Sequence, residues 1–216
     1  MFSKIFPKIH AEGYKFLVIA GIITIIFYSF SDFLGLIGFV LTIWVYYFFR
    51  DPERVIINDN NYLVSPADGE IIKVEEVDGP KELSLENKRF KKISVFMNVF
   101  DCHVNRTPCS GKIDEILYKP GKFFNASLDK ASDENERNYF KINDKKNQEE
   151  IVIVQIAGLI ARRIVTQTKK NQEIAQGERI GMIRFGSRVD LYFNKRKIMV
   201  KVGQNVIAGE SLIAQI

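Results

Sequence analysis

The sequence predicts a mainly β (α+β) protein in which an apolar helical hairpin precedes a sandwich or barrel of short strands. Residues 16–49 contain 26 apolar residues out of 34 and a single charge, Asp32. The rest of the chain has the composition of a water-soluble domain and is long enough to enclose one hydrophobic core. Beyond residue 50, short apolar runs alternate with turns that contain glycine and proline, which is typical of β architecture.

The apolar segment consists of two runs, Phe16–Phe30 and Phe33–Phe49, of 15 and 17 residues. An upright helix needs about 20 apolar residues to cross a bilayer, so we expect a helical hairpin that either crosses twice or dips in and returns. Basic residues flank the segment on both sides: Lys4, Lys8, Lys15 and Arg50. This flanking charge places residues 1–49 as a membrane-associated segment at the cytoplasmic face of the cell membrane. A pair of buried core helices is the alternative.

The soluble part is predicted to be a succession of strands. Apolar alternation or β-branched runs indicate strands at Tyr62–Val64, Glu70–Val77, Ile93–Val99, Gly111–Tyr118, Ile151–Ala157, Ile180–Phe185, Val189–Phe193 and Ile198–Val202. Between the first two, Ser65–Gly69 is predicted to be a turn because it contains Pro, Asp and Gly. Residues 125–149 are polar and mixed in charge, which predicts a long loop, with a short helix as a further option.

Several function classes are disfavoured by composition. Two cysteines, Cys102 and Cys109, do not make a disulfide scaffold, and with His103 they are a weak metal signal, so no metal is predicted. Residues 50–216 hold 28 basic and 24 acidic residues, a balance of +4 that suits an anionic membrane surface and is too diffuse to predict nucleic-acid binding. No glycine-rich phosphate loop follows a strand. His103 is the one histidine after the apolar segment.

A Gly186-Ser187 pair lies between two predicted strands, where local pattern alone predicts an ordinary turn. A serine-hydrolase elbow requires glycine two residues on either side of the serine, and Phe185 and Val189 stand there instead. The chemistry of this serine therefore has to be judged from the wider sequence.

Five ordered motifs supply that context: FRDP at residues 49–52, SPADG at 65–69, FMNVFDCHVNRTP at 96–108, NER at 135–137 and RFGSRVD at 184–190. With these motifs the chain resembles the phosphatidylserine decarboxylase proenzymes of the short bacterial and archaeal type. The likeness runs from about Phe49 to Ile216, and the apolar hairpin also fits.

The resemblance implies that the chain cleaves itself between Gly186 and Ser187. The Ser187 hydroxyl would attack the Gly186 carbonyl, and elimination would release residues 1–186 as the large chain. Ser187 would become a covalent pyruvoyl group at the start of the small chain, residues 187–216. This group would hold the serine amine of phosphatidylserine as a Schiff base while carbon dioxide leaves, giving phosphatidylethanolamine without pyridoxal phosphate or a metal. Residues 50–216 would then form the catalytic domain.

The resemblance also implies roles for three polar residues. Asp68 and His103 would supply the base for Ser187, with a carboxylate orienting the imidazole. Longer members carry a second histidine where this chain has Arg106, which stays protonated and cannot act as a base. Either His103 therefore serves both cleavage and decarboxylation, or cleavage relies on Asp68, strain and water. Arg106 becomes a candidate for the substrate phosphate, with a surface ion pair as the alternative.

Other readings stay open at this point. An archaetidylserine decarboxylase would share the serine head-group chemistry. A non-enzymatic, membrane-anchored β module is the alternative from another class, because Ser65–Val77 and Val200–Ile213 resemble lipoyl-type hairpins and Lys195 and Lys197 lie in a turn. Residues 135–137 are either a pocket edge or a solvated charged loop. The expected partners are membrane lipid and the two chains of one precursor, and the resemblance makes a homodimer of such heterodimers plausible.

Overall fold

The computed structural model describes residues 7–126, 134–159, 163–184 and 186–216. It divides into two compact units, Met1–Glu53 and Arg54–Ile216. Each unit has its own secondary structure, helical in the first and β in the second.

The first unit is a helical hairpin, as the apolar runs predict. After one 3-10 turn, Ala11–Gly13, the chain forms α1 (Tyr14–Phe30) and α2 (Asp32–Phe48). Ser31 separates them in an extended conformation, and its Oγ accepts a hydrogen bond from the backbone N–H of Phe33, which caps α2.

Small residues allow the two helices to pack closely. A Cβ added to Gly38 would lie 3.0 Å from the Cα of Thr24, and the hydroxyls of Thr24 and Thr42 are 2.9 Å apart. The outer faces remain apolar and uncovered, as in Ile25 and Phe33. Ala11–Phe30 is long and apolar enough to cross a membrane, whereas Asp32–Phe48 is shorter.

The second unit is built of short strands. Within the described residues these are β1 (Tyr62–Val64), β2 (Gly69–Asp78), β3 (Arg89–Met97), β4 (Val104–Arg106), β5 (Gly111–Lys119), β6 (Arg137–Asp144), β7 (Glu149–Ala157), β8 (Ile164–Thr166), β9 (Glu173–Ile174), β10 (Arg179–Ile183), β11 (Ser187–Phe193), β12 (Lys197–Ile198), β13 (Asn205–Val206) and β14 (Leu212–Gln215). A short 3-10 turn, Lys81–Leu83, lies between β2 and β3.

The main sheet has the order β13-β2-β3-β11-β7-β6-β5-β9, and its strand pairs are antiparallel. Two three-stranded sheets, β1-β14-β12 and β4-β10-β8, complete the unit. One face of the main sheet covers the principal core, to which alternate residues of β11 contribute: Val189, Leu191 and Phe193. The mainly β prediction is confirmed, with β11 in the interior of the curled main sheet.

Two sequence predictions were wrong in detail. The predicted loop 125–149 contains β6, because its polar side chains are paired within the sheet: Asn138 contacts Gln155, and Asp144 contacts Arg196. The predicted strand Ile198–Val202 is a strand only at Lys197–Ile198. In both cases the tertiary partners, which local alternation does not reveal, decided the outcome.

Candidate active site

Ser187 begins β11 in the middle of the main sheet. It pairs with Met97 of β3 on one side and with Ala157 of β7 on the other. Its side chain is buried, and Ser187 Oγ has no hydrogen-bond partner among the described residues. Burying an unpaired hydroxyl is costly. Ser94 Oγ in the neighbouring strand β3 is also buried without a hydrogen-bond partner in the described part of the chain, so the position of Ser187 directly after Gly186, and not its burial alone, makes it a candidate reactive group.

The peptide bond before Ser187 has a special backbone. Gly186 has φ +50°, in the left-handed region that favours glycine. A Cβ added to Gly186 would have no heavy atom within 4 Å among the described residues beyond its chain neighbours. Glycine is therefore favoured at this position by its positive φ and not by a lack of space for a side chain. A Cβ added to Gly158, just after β7, would lie 1.8 Å from the Gly186 carbonyl oxygen. The Gly186 carbonyl therefore lies directly against the bare Cα of Gly158.

His103 is buried beside the strand that leads to this bond. Its carbonyl accepts a hydrogen bond from Ile183 N–H (3.4 Å), at the end of β10 and three residues before Gly186. On the ring, Nδ1 lies 3.0 Å from the Asp101 carbonyl oxygen. A carbonyl only accepts, so Nδ1 carries the proton in this contact, and Nε2 of the neutral ring is the basic nitrogen.

Asp68 lies in the predicted turn before β2. Its Oδ2 accepts a hydrogen bond from Arg54 Nη2 (2.7 Å) and its Oδ1 from the backbone N–H of Ala208 (2.8 Å). Burial alone would lower the pKa of Arg54, but the charge and hydrogen bond of Asp68 raise it above its ordinary value. Asp68 is thus paired with Arg54. His103 Nδ1 contacts a main-chain carbonyl, whereas the sequence predicted that a carboxylate orients the imidazole.

Arg106 ends β4 and is 5% exposed. Its Nη1 donates to the Gly177 carbonyl (2.9 Å), and a Cβ on Gly209 would lie 3.2 Å from Arg106 Cδ. The side chain is therefore packed between two glycine turns and does not lie on the surface. Its role toward a substrate phosphate stays a prediction.

The NER motif is buried, so its interpretation as a solvated loop is wrong. Asn135 Nδ2 donates to the carbonyls of Phe124 (2.8 Å) and Ala157 (2.7 Å). Glu136 Oε1 accepts from Ile164 N–H (3.2 Å). Asn135 therefore supports the end of β7, directly beside Ser187.

A chain of buried amides lines the same face of the sheet as Ser187. Gln155, two residues before Ala157, donates to Asn105 Oδ1 (2.7 Å), and Asn138 donates to Gln155 Oε1 (3.3 Å). Asn105 Nδ2 also contacts the sulfur of Met97, the cross-strand neighbour of Ser187, at 3.5 Å. These amides supply polar groups in an otherwise apolar interior.

The opposite face of β11 carries a separate feature. A cavity of about 350 Å³ opens there, with Asp190, Tyr192 and Tyr139 in its lining. Side chains alternate along a strand, so Asp190 and Tyr192 point away from the face that Ser187 and Val189 share. Arg188 forms a buried ion pair with Asp190 (Nε–Oδ1 2.9 Å) directly after Ser187.

Features outside these contacts add little chemistry. Cys102 and Cys109 are free and buried, and burial raises the pKa of the Cys109 thiol. Among the residues that the structure describes, no cluster of three metal-ligating side chains occurs. Lys195 donates through Nζ to the carbonyls of Asn147 and Gln148 (3.1 and 2.6 Å), unlike the free lysine of a lipoyl carrier.

Sequence reasoning missed Gly158, Arg54 and the amides of Gln155 and Asn138. Gly158 directly follows a strand, as Gly79 does, and the sequence does not show that another backbone carbonyl lies against it. Arg54 stands 14 residues before Asp68, in a segment without a recognisable motif.

Comparisons with known proteins agree on one family. The sequence model described as phosphatidylserine decarboxylase matches residues 41–214. The phosphatidylserine decarboxylase proenzyme of Pelagibacter ubique is 71% identical over 215 residues, which cover 100% of both chains. The proenzyme of Ruegeria pomeroyi is 50% identical over 96% of this chain and 94% of its own. That of Rickettsia typhi is 47% identical over 99% of this chain and 92% of its own. The chain therefore belongs to the phosphatidylserine decarboxylase family.

Proposed function

We propose that this chain is a proenzyme that cleaves itself between Gly186 and Ser187 and then decarboxylates phosphatidylserine to phosphatidylethanolamine. The family is one of carboxy-lyases, and the printed names of its relatives give both the substrate and the proenzyme state. The observation that carries the proposal is the buried, unpartnered hydroxyl of Ser187 directly after a positive-φ glycine.

Self-cleavage begins with Ser187 Oγ as the nucleophile. Oγ bonds to the Gly186 carbonyl carbon, the C–N bond breaks, and the proton of Oγ passes through the base to the new amine, which leaves an ester. Removal of the Ser187 Cα proton then breaks the Cβ–O bond and releases Gly186 as a carboxylate. Water replaces the nitrogen of the remaining dehydroalanine, ammonia leaves, and residue 187 becomes a pyruvoyl group. The pyruvoyl group would thus form from Ser187 itself and would need no separate binding residues.

His103 is the proposed base, through Nε2. Its Nδ1–H donates to the Asp101 carbonyl, which fixes the ring and leaves the opposite nitrogen to accept the Oγ proton. Asp68 is proposed as an electrostatic partner in the same region. Gly69, which follows it, packs its Cα against Phe96 of β3, where a Cβ would lie 2.0 Å from the Phe96 carbonyl oxygen. This contact holds Asp68 beside the strand that pairs with β11.

In the mature enzyme, the pyruvoyl carbonyl supplies an electron sink for loss of carbon dioxide. The chain's residues bind and orient the serine head group and protonate the product carbon, a step that we assign to His103. The apolar core under β11 favours the neutral amine and loss of the carboxylate charge. Arg106 is retained as the candidate phosphate ligand.

The two chains would remain joined after cleavage. β11 of the small chain lies between β3 and β7 of the large chain, and β13 and β14 pair with β2 and β1. Arg196, fully buried, bonds Asp144 (2.6 Å) and Glu149 (2.7 Å) from the other side of the break. These contacts would hold the small chain to the large chain after cleavage. The apolar hairpin is proposed as the membrane anchor, at the cytoplasmic face.

The experiment is a decarboxylation assay of the purified full-length chain on phosphatidylserine in detergent micelles, with Ser187→Ala as the matched control. We expect carbon dioxide and phosphatidylethanolamine from the wild type and neither from the variant. Equal activity of both proteins would reject the pyruvoyl route, and inactivity of a cleaved wild type would reject the substrate.

A further inference from the structure

Exposed apolar side chains gather at the end of the main sheet where Ser187 begins β11. Phe100 is 62% exposed, Leu159 68%, Tyr118 54% and Phe124 37%. Each lies in a loop or near the end of a strand, where a soluble domain usually presents polar groups.

Strand register places the first two on either side of Ser187. Met97 and Ala157 are its cross-strand partners, Phe100 follows Met97 by three residues, and Leu159 follows Ala157 by two. The turn that carries Phe100 is well ordered: Asn98 N–H donates to Asp101 Oδ2 (2.8 Å), and Phe100 N–H donates to Asn98 Oδ1 (2.8 Å). The exposure of Phe100 is therefore built into the turn.

The other two aromatic residues are linked to the same strand end. Phe124 is bonded through both its N–H and its carbonyl to Asn135, which also holds the carbonyl of Ala157. Burial and the nearby carboxylate of Glu136 raise the pKa of the Tyr118 hydroxyl. The backbone carbonyl of Glu136 accepts a hydrogen bond from Ala157 N–H (2.9 Å). Each of the four residues is therefore linked, through the sequence or through hydrogen bonds, to Ala157 or Met97, the cross-strand partners of Ser187.

Basic groups accompany this apolar cluster. Arg163 is exposed, and its carbonyl accepts from Arg184 N–H (3.2 Å), two residues before Gly186. Lys122 Nζ lies 5.6 Å from the ring centroid of Phe124 and 2.8 Å from Glu134 Oε2, so it shares its charge with a carboxylate. Exposed aromatic and aliphatic tips beside arginine and lysine are typical of surfaces that enter the headgroup region of an anionic bilayer.

We propose that the four tips, Phe100, Tyr118, Phe124 and Leu159, form a docking face that inserts into an anionic lipid bilayer and opens the Ser187 site directly to membrane lipid. The inference rests on the proposed function, since it assigns the route by which a two-chain lipid substrate reaches a fully buried residue. A diacyl lipid keeps its chains in the bilayer while its head group enters. The end of β11 is where the face and the site meet.

The test labels the face in the full-length chain on vesicles. Phe100→Cys and Leu159→Cys each receive an environment-sensitive fluorophore, and Ile216→Cys is the matched control. Ile216 is 58% exposed and bonds Asn61, next to the Asn60–Asp144 contact at the far end of the main sheet. The native cysteines are buried, so labelling is selective. The vesicles contain phosphatidylcholine and a minor share of phosphatidylglycerol, with brominated acyl chains as quencher.

We expect bromine to quench the labels at 100 and 159 and to leave the label at 216 unchanged. Equal quenching at all three sites, or none at 100 and 159, would overturn the docking face, as would a label signal that responds to protein concentration and not to lipid. This readout needs no catalysis, so it gives a result even if the chain proves inactive.

A second readout uses Phe100→Ser with Leu159→Ser. Turnover of bilayer phosphatidylserine should fall about tenfold or more for the loss of two inserted side chains, with turnover of a soluble short-chain phosphatidylserine unchanged. Equal losses on both substrates would contradict docking. Absence of turnover in the wild type would contradict the proposed function instead.

Discussion

Gly158→Ala should slow the proposed self-cleavage, because it acts on the Gly186 carbonyl that we propose Ser187 attacks. The added Cβ would lie 1.8 Å from the Gly186 oxygen and 2.8 Å from its carbon, whereas real Cβ atoms essentially never come within 3.0 Å of another heavy atom. Reaching 3.0 Å from the oxygen requires a displacement of about 1.2 Å, the difference between the two distances. A misplacement of about 1 Å costs roughly 100-fold in rate where attack geometry matters, so we expect cleavage to slow by about that factor.

The assay follows the conversion of newly made full-length chain into two chains on a denaturing gel. Gly111→Ala is the matched control, because its Cβ would lie 2.5 Å from the Asn143 carbonyl oxygen, a similar clash at the far end of the main sheet. Both variants should lose thermal stability, but only Gly158→Ala should slow cleavage in the folded fraction.

Once cleaved, Gly158→Ala should decarboxylate at nearly the wild-type rate, because Gly186 then ends a chain and can move away. Wild-type cleavage kinetics in folded Gly158→Ala would refute the reasoning. Equal slowing in Gly111→Ala would show that general destabilisation is responsible.

Three further predictions concern the base, the chain junction and acid stability. His103→Ala should slow cleavage by about 100-fold or more, with partial rescue by added imidazole, and an unimpaired variant would exclude His103 as the base. Arg196→Met leaves Asp144 and Glu149 buried and unpaired, so urea unfolding should show a loss of about 3–5 kcal/mol, and an unchanged midpoint would contradict this. Burial would raise the pKa of Glu82, but the hydrogen bond from Lys119 and the nearby cations outweigh it and lower this pKa below 4.5. The ionised Glu82 carboxylate therefore stabilises the folded protein above pH 4.5, and this stabilisation is lost as the pH falls through the lowered pKa. Glu82→Gln should flatten this acid limb in thermal melts, and an identical pH profile would exclude the contribution.

The parts of the fold that could be predicted are those in which one residue's neighbours in sequence determine its environment. Ser31 and Asp32 interrupt an apolar run, and the hairpin turns there. Val189, Leu191 and Phe193 alternate with polar residues, and they face the core as expected.

The parts that could not be predicted depend on partners distant in sequence. β6 looks polar because Asn138 and Asp144 are satisfied by Gln155 and Arg196, which are 17 and 52 residues away. Polar residues that are paired in this way are compatible with a buried strand, but no local pattern reveals the pairing.

The candidate site shows the same difference between residues that lie together in the sequence and contacts that form only in the folded protein. Gly186 and Ser187 could be proposed from motifs that lie together in the chain. The contact between Gly158 and the Gly186 carbonyl, the pairing of Asp68 with Arg54 and the support of Ala157 by Asn135 all require the folded sheet. The motifs therefore supply the proposal that Gly186 and Ser187 react, and the structure adds candidates for the residues that hold them in place.

The intact mass of the purified full-length protein tests the central claim most directly. We expect two chains, residues 1–186 and residues 187–216, with the small chain lighter than a serine-initiated peptide by one ammonia. A Ser187→Ala protein should remain a single chain of full length. A single uncleaved wild-type chain that nevertheless decarboxylates phosphatidylserine, or a small chain that begins with unmodified serine, would contradict the account.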